Sequence, residues 1–158
     1  MIDTTTANIK IEGFDRLMAH LSAATQKSVI NSGLKSSANF LVKWIVTQRL
    51  SGRPGLRRVT GALAQSIKSG APENNQITVG TRELPYARIH EYGGIIVPRV
   101  AKALKFKIDN RWVVTQKVTI PARPYMKPSI NPDNINHIKD IFRDKIWAAI
   151  QGKGASTE

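Results

Sequence analysis

His90 and Glu91 stand side by side in Pro85-Tyr86-Ala87-Arg88-Ile89-His90-Glu91-Tyr92-Gly93-Gly94. An imidazole next to a carboxylate is the raw material of general acid–base catalysis. It is also half of a zinc-protease motif, which needs His-Glu-x-x-His on a helix so that two imidazoles share one face. The fourth position after His90 is Gly94, so that motif fails. The other histidines, His20 and His137, lie near either end of the chain with no repeated carboxylate spacing. Neighbours in sequence point apart on a strand and sit about 100° apart on a helix, so adjacency alone makes no dyad.

Nucleophilic chemistry finds no better footing. The chain has no cysteine, which removes thiolates, disulfides and Cys-ligated zinc. Gly-x-Ser-x-Gly is absent, and so are the glycine-rich phosphate cradles. Ser51-Gly-Arg-Pro-Gly55 has glycines but not the Lys-Ser/Thr ending or a preceding strand. No catalytic residue, metal ligand or cofactor is assigned, and the chain is not read as an enzyme. The His90–Glu91 stretch reads as a structural corner. Tyr86, Ile89 and Tyr92 pack along one side of a short helical turn. His90 caps or packs, and Gly93-Gly94 permits positive φ and a sharp reversal. Arg123 lies between Pro121 and Pro124, which hold an extended segment, and is the expected ion-pair partner of Glu91.

Charge supplies the stronger signal. Lys and Arg number 24 against 11 Asp and Glu, a net charge of +13. Such an excess attracts polyanions by counterion release and long-range steering; nucleic acid and an acidic protein surface fit it equally. The excess is local. Arg53, Arg57, Arg58 and Lys68 fall within 51–70 with no acid, and 101–130 carries seven cations, Lys105, Lys107 and Lys117 among them, against Asp109. Aromatic residues are sparse and do not interleave with the basic loop, which argues against a base-stacking platform. No stretch approaches the ~18 apolar residues of a membrane span. The N-terminus lacks the pattern of a signal peptide. These features describe a soluble protein made inside the cell, with no membrane partner.

The elements that must position these residues follow from periodicity. An arm covers 1–13, with Ile9 and Ile11 alternating as a short strand. Apolar stripes from Phe14 to Leu21 and from Ile30 to Ile45 predict one or two helices over 14–50, with a break near Ala24–Gln26. Gly33 inside the pattern marks close packing or nothing. The segment 51–60 is a flexible basic loop by composition. Leu63–Ile67 fits either a short helix or a strand. Gln76–Gly80 and Ile95–Val97 read as strands.

The clearest hairpin is 103–120. A three-residue loop, Asp109-Asn110-Arg111, pairs Ile108 with Trp112 and Phe106 with Val114. It leaves Lys105, Lys107, Thr115 and Lys117 as an outer basic stripe. Asp133 caps a last helix that Gly152 ends. The predicted fold is α+β: a small antiparallel sheet packed by a long N-terminal helical region and a C-terminal helix. The predicted domain is 14–151, followed by a polar tail, 152–158.

Three pieces then occur in a telling order. They are Val59-Thr-Gly-Ala-Leu-Ala-Gln-Ser-Ile67; Ile77-Thr-Val-Gly-Thr81 followed by Pro85-Tyr-Ala-Arg-Ile-His-Glu-Tyr-Gly-Gly94; and Ile120-Pro-Ala-Arg-Pro-Tyr-Met-Lys-Pro-Ser129. Together they resemble the phage virion-morphogenesis and tail-completion proteins, a group similar to the neck proteins of long-tailed phages. Where that family often carries a basic pair, Ala64-Gln65 stand here, and the basic residues precede the motif. The resemblance implies a non-enzymatic virion protein at the head–tail junction, made in the host cytoplasm. It implies a homo-oligomeric ring, hexamer or dodecamer, between head-side connector proteins and tail-tube or terminator proteins. DNA would pass through the lumen. Arg53, Arg57, Arg58, Lys105, Lys107 and Lys117 become candidate contacts to that DNA or to a partner. Tyr86, His90, Glu91, Tyr92, Gly93, Gly94, Pro121, Arg123 and Pro124 become the structural motif. The rival expectation is a basic accessory protein that binds nucleic acid non-specifically.

Overall fold

The computed structural model describes residues 12–52, 56, 60–81 and 84–152. The expected strand at Ile9–Ile11 and the cations Arg53, Arg57 and Arg58 lie outside the described residues, as does most of the tail. Two long helices form the frame: α2 (Ala23–Trp44) and α5 (Pro132–Ile150), packed on each other. A short α1 (Phe14–Met18) precedes α2. The helical break falls at 19–22, earlier than expected, because Ser22 caps α2 by accepting the N–H of Thr25 at 3.3 Å. Gln26 ties the two helices together. Its side-chain amide donates to the carbonyls of Met18 and Leu21 at 2.8 and 2.9 Å, satisfying acceptors that a helix end leaves open.

Gly33 resolves as a packing residue. A Cβ there would sit 2.5 Å from Cε1 of Phe142 on α5, so only glycine lets the two helices approach this closely. The C-terminal end of α2 widens into a π-helical turn, Ile45–Arg49. Helix α5 starts one step before its expected cap. Asn131, not Asp133, accepts the N–H of Asn134 at 3.0 Å. Pro132 then occupies the first helical position, where a missing N–H costs nothing. Gly152 follows the helix with φ +70°, the left-handed stop that the sequence predicted.

Three separate two-stranded antiparallel sheets occur among the described residues. The ambiguous Leu63–Ile67 stretch is both things in turn: α3 (Ala62–Ser66) runs straight into β1 (Ile67–Ser69). Strand β1 pairs with β2 (Val79–Thr81). The strand expected from Gln76 starts later, because Asn74 and Asn75 take positive φ and Gln76 closes their turn onto Glu73. Strand β3 (Gly94–Ile96) pairs with β6 (Val118–Ile120), and β4 (Leu104–Ile108) pairs with β5 (Arg111–Thr115).

The core lies beside the helices. Ile45, Leu50, Leu56, Ala64, Ile67, Tyr125 and Met126 form one buried cluster, and Met18, Val29 and Ile146 form another. Helix α2 packs on β1 and β2. The β4–β5 hairpin packs chiefly on itself.

The expected hairpin register is corrected. Ile108 pairs with Arg111, Lys107 with Trp112, and Lys105 with Val114. The loop is therefore two residues, Asp109 and Asn110, both at positive φ (44° and 65°). Such a turn matches the right-handed twist of paired strands, and Asp and Asn tolerate the left-handed region. The three-residue loop came from requiring all apolar residues on one face. That requirement fails because Leu104, Phe106 and Val113 share the half-buried face, while Trp112 and Val114 lie on the open one, each more than half exposed.

Candidate functional site

Helix α4 (Ala87–Tyr92) carries the His90–Glu91 pair. Its buried positions are Ala87 and Glu91, one turn apart, while Tyr86 and Tyr92 are exposed. The tyrosine face expected to pack is thus the outward one. A carboxylate can be buried where hydrogen bonds to the charged form replace water. Glu91, 5% exposed, meets that condition. One of its oxygens, Oε2, accepts the backbone N–H groups of Tyr125 and Met126 at 2.8 and 3.0 Å. The other, Oε1, accepts that of Lys127 at 2.9 Å.

This corrects the expected pairing with Arg123. Among the described residues, ion pairs join only Arg143 to Asp140 and Asp144. Three backbone donors already occupy the Glu91 carboxylate. Arg123 instead contributes its main chain, donating its N–H to the carbonyl of His90 at 2.8 Å. Its guanidinium acts on His90 at longer range. Burial first, and that positive charge second, hold the His90 pKa below the usual 6.5. The His90 ring meets Tyr86 edge-on at 5.9 Å, and its Nδ1 is buried with no hydrogen-bond partner.

Gly93 closes the corner. It has φ +71°, and a Cβ there would lie 2.8 Å from the backbone nitrogen of Ala122. Two demands, left-handed backbone and close approach, therefore meet at one position. Gly94 opens β3, which runs back along β6. Pro121 and Pro124 lie in the exposed, unpaired segment between β6 and Tyr125, consistent with their missing donors. The clamp continues toward α5. Lys127–Ser129 forms a single 3₁₀ turn, Ser129 donates its hydroxyl to Met126 O at 2.6 Å, and buried Asn134 donates to Ser129 O at 2.8 Å. The Tyr125 hydroxyl donates to Ala87 O at 3.4 Å. His90, Glu91, Gly93, Arg123 and Tyr125 are thus brought together by main-chain chemistry. Among the described residues, no group of three His, Asp or Glu gathers in metal-binding range.

A second assembly stands apart from this corner. With the register corrected, Lys105 and Lys107 share a hairpin face with Trp112 and Val114. The Lys105 ammonium sits 4.8 Å from the centre of the Trp112 ring, a cation–π contact across the diagonal of the ladder. Trp112 and Val114 are both 64% exposed. Thr115 is on the other face, opposite Leu104. Lys117 lies beyond the strand end, in the turn where Thr115 accepts its N–H at 3.4 Å. Sequence reasoning missed Trp112 and Val114 as part of this face. The Asp109-Asn110 pair was the signal that sets the register and would have found them. Exposed apolar residues continue along β3 and just beyond it, at Ile95, Ile96, Val97 and Val100. No helix among the described residues is long and apolar enough to cross a membrane.

Compared with known proteins, residues 43–146 match the model of the phage virion morphogenesis family. That span holds all three sequence motifs, the clamp and the hairpin. No curated protein and no solved structure gives a match.

Proposed function

The chain belongs to the phage virion morphogenesis family, and from that premise we propose that it is a structural ring subunit at the head–tail junction. Its family gives it a part in virion assembly. The finer reading, a tail-completion or neck component around the DNA channel, is carried by one observation: an uncovered hairpin and an uncovered β3 on an otherwise anchored frame. Ile95, Val97, Ile108, Trp112 and Val114 are all more than half exposed. Isolated two-stranded ribbons are marginal in water, and contiguous exposed apolar residues mark interaction sites. A subunit whose ribbons gain their cover in the assembly, from adjacent subunits or from the DNA in the channel, accounts for both.

In this reading the 51–60 loop and the hairpin contact adjacent subunits or the lumen. The ring is a hexamer or dodecamer, and its neighbours are head-side connector proteins on one side and tail-tube or terminator proteins on the other. No catalytic role is assigned: Glu91, the one carboxylate beside His90, is already occupied by three backbone donors. The net charge of +13 keeps one rival in play, a basic accessory protein that binds nucleic acid as a monomer or dimer. Light scattering and negative-stain imaging, with and without virion components, separate the two. A large symmetric assembly supports the ring. A chain that stays monomeric or dimeric with every virion component present overturns it.

A further inference from the structure

We propose that the Lys105–Lys107–Trp112–Val114 face of the β4–β5 hairpin binds the sugar-phosphate backbone of double-stranded DNA. The neck reading leaves this surface open to either DNA or protein. The ligand assignment rests on that reading only for where DNA would be met.

Charge is the first argument. Arg99, Lys102, Lys105, Lys107 and Lys117 are all exposed in and around the hairpin, against the single acid Asp109. None of the five forms an ion pair among the described residues. The hairpin is therefore an unneutralised cationic ribbon. A dry protein contact is the poorer fit, because lysine is depleted at the centre of protein interfaces. For phosphate the same residue type is favoured, since each contact releases condensed counterions.

Geometry is the second argument. Lys105 and Lys107 are two residues apart on one strand face, so their stems stand about 7 Å apart. Adjacent phosphates of one DNA strand, one ~3.4 Å rise and about a tenth of a turn apart, are also separated by about 7 Å. A two-stranded ribbon is narrow enough to lie in the major groove. Trp112 and Val114, opposite the lysines on β5, add apolar surface to the same face, suited to deoxyribose carbons. The Lys105 ammonium holds the Trp112 ring in place at 4.8 Å. With both lysines on phosphates and no Arg, Asn or Gln on the face to read base edges, binding is independent of sequence. Arg111 pairs with Ile108 and belongs to the opposite face.

The test uses the full chain, a labelled duplex of arbitrary sequence, and fluorescence anisotropy over a series of salt concentrations. The expected result is duplex binding whose log–log salt slope shrinks by about 1.8 in Lys105→Gln/Lys107→Gln, two phosphate contacts at ~0.9 each. Trp112→Ala weakens binding with the slope unchanged, and Trp112→Tyr restores much of it. Arg111→Gln leaves both slope and affinity as they were. Absent duplex binding at low salt overturns the proposal, as does a slope indifferent to the double lysine variant or equally sensitive to Arg111. Polyglutamate competing as well as duplex would replace DNA by an acidic protein surface and also overturn it. Failure of the neck reading shows differently, as absence of the chain from the head–tail junction of imaged particles.

Discussion

The buried carboxylate of Glu91 accepts the backbone N–H of Tyr125 at 2.8 Å, 34 residues further along the chain. Two more donors, from Met126 and Lys127, converge on the same group. Charge-assisted bonds of this kind are about twice as strong as neutral ones. Main chain is thereby held by side chain at the point where the exposed ribbons rejoin the core.

Glu91→Ala is expected to cost about 3 kcal/mol, because it leaves backbone donors without a partner in a largely dry site. Glu91→Gln, which keeps one acceptor oxygen, should lose roughly half of that. Arg123→Ala should stay within about 0.5 kcal/mol. Urea unfolding of the single and double variants gives the values. Strong coupling between Glu91 and Arg123 in that cycle would reinstate the ion pair.

Gly93→Ala faces two penalties together. The left-handed backbone costs roughly 1–2 kcal/mol for an L side chain, and the added Cβ meets the Ala122 nitrogen at 2.8 Å. A loss of about 3 kcal/mol is expected. Wild-type thermal stability in this variant would show that the corner can open without harm.

Gly33→Ala sets helix propensity against space. Alanine gains about 1 kcal/mol in a helix interior, but overpacking against Phe142 costs about 1–3 kcal/mol. The net effect should be destabilising, and Phe142→Leu should be less harmful when combined with Gly33→Ala than in the native chain. Additive losses would mean that the two helices simply slide apart.

His90 is held below the usual 6.5 by burial and by Arg123. A group whose folded pKa is depressed in this way favours the neutral form in the fold. Its contribution is complete above the unfolded value and is lost as pH falls through 6.5 toward the folded pKa. Stability should therefore drop as pH is lowered across this window, and His90→Gln should flatten that part of the profile. Histidine NMR should place the His90 midpoint below 6.5, and a midpoint above it refutes the assignment.

Asp109→Val puts a β-branched residue at φ +44°. The cost should be about 1–2 kcal/mol, confined to the hairpin. Amide exchange is the suitable readout, since local opening differs from global unfolding. Protection should fall in β4 and β5 and hold in α2 and α5.

Helices, caps and stops were legible where local chemistry decides them. The stripes of α2 and α5 and the stop at Gly152 were read from spacing. The cap moved from Asp133 to Asn131 because both residues can cap and only the position of Pro132 separates them. The hairpin was legible as an element but not in register, because Trp112 and Val114 were assigned to the covered face, where Val113 stands instead. The Glu91 clamp was not legible, since its donors are backbone N–H groups that any residue at 125–127 supplies. Arg123 looked like the partner because charge is visible in a sequence and main-chain donors are not.

Both exposed ribbons lie between Glu91 and Tyr125, so the whole excursion leaves and re-enters the core through one staple. Closing a longer loop is cheap, about 0.6 kcal/mol for each doubling of length. Two residues added to each hairpin strand would extend its reach by about 7 Å. The span that the hairpin bridges can therefore be retuned by insertion or deletion at its tip, with helix packing and clamp untouched. Reach, in this chain, is an adjustable dimension separate from the fold.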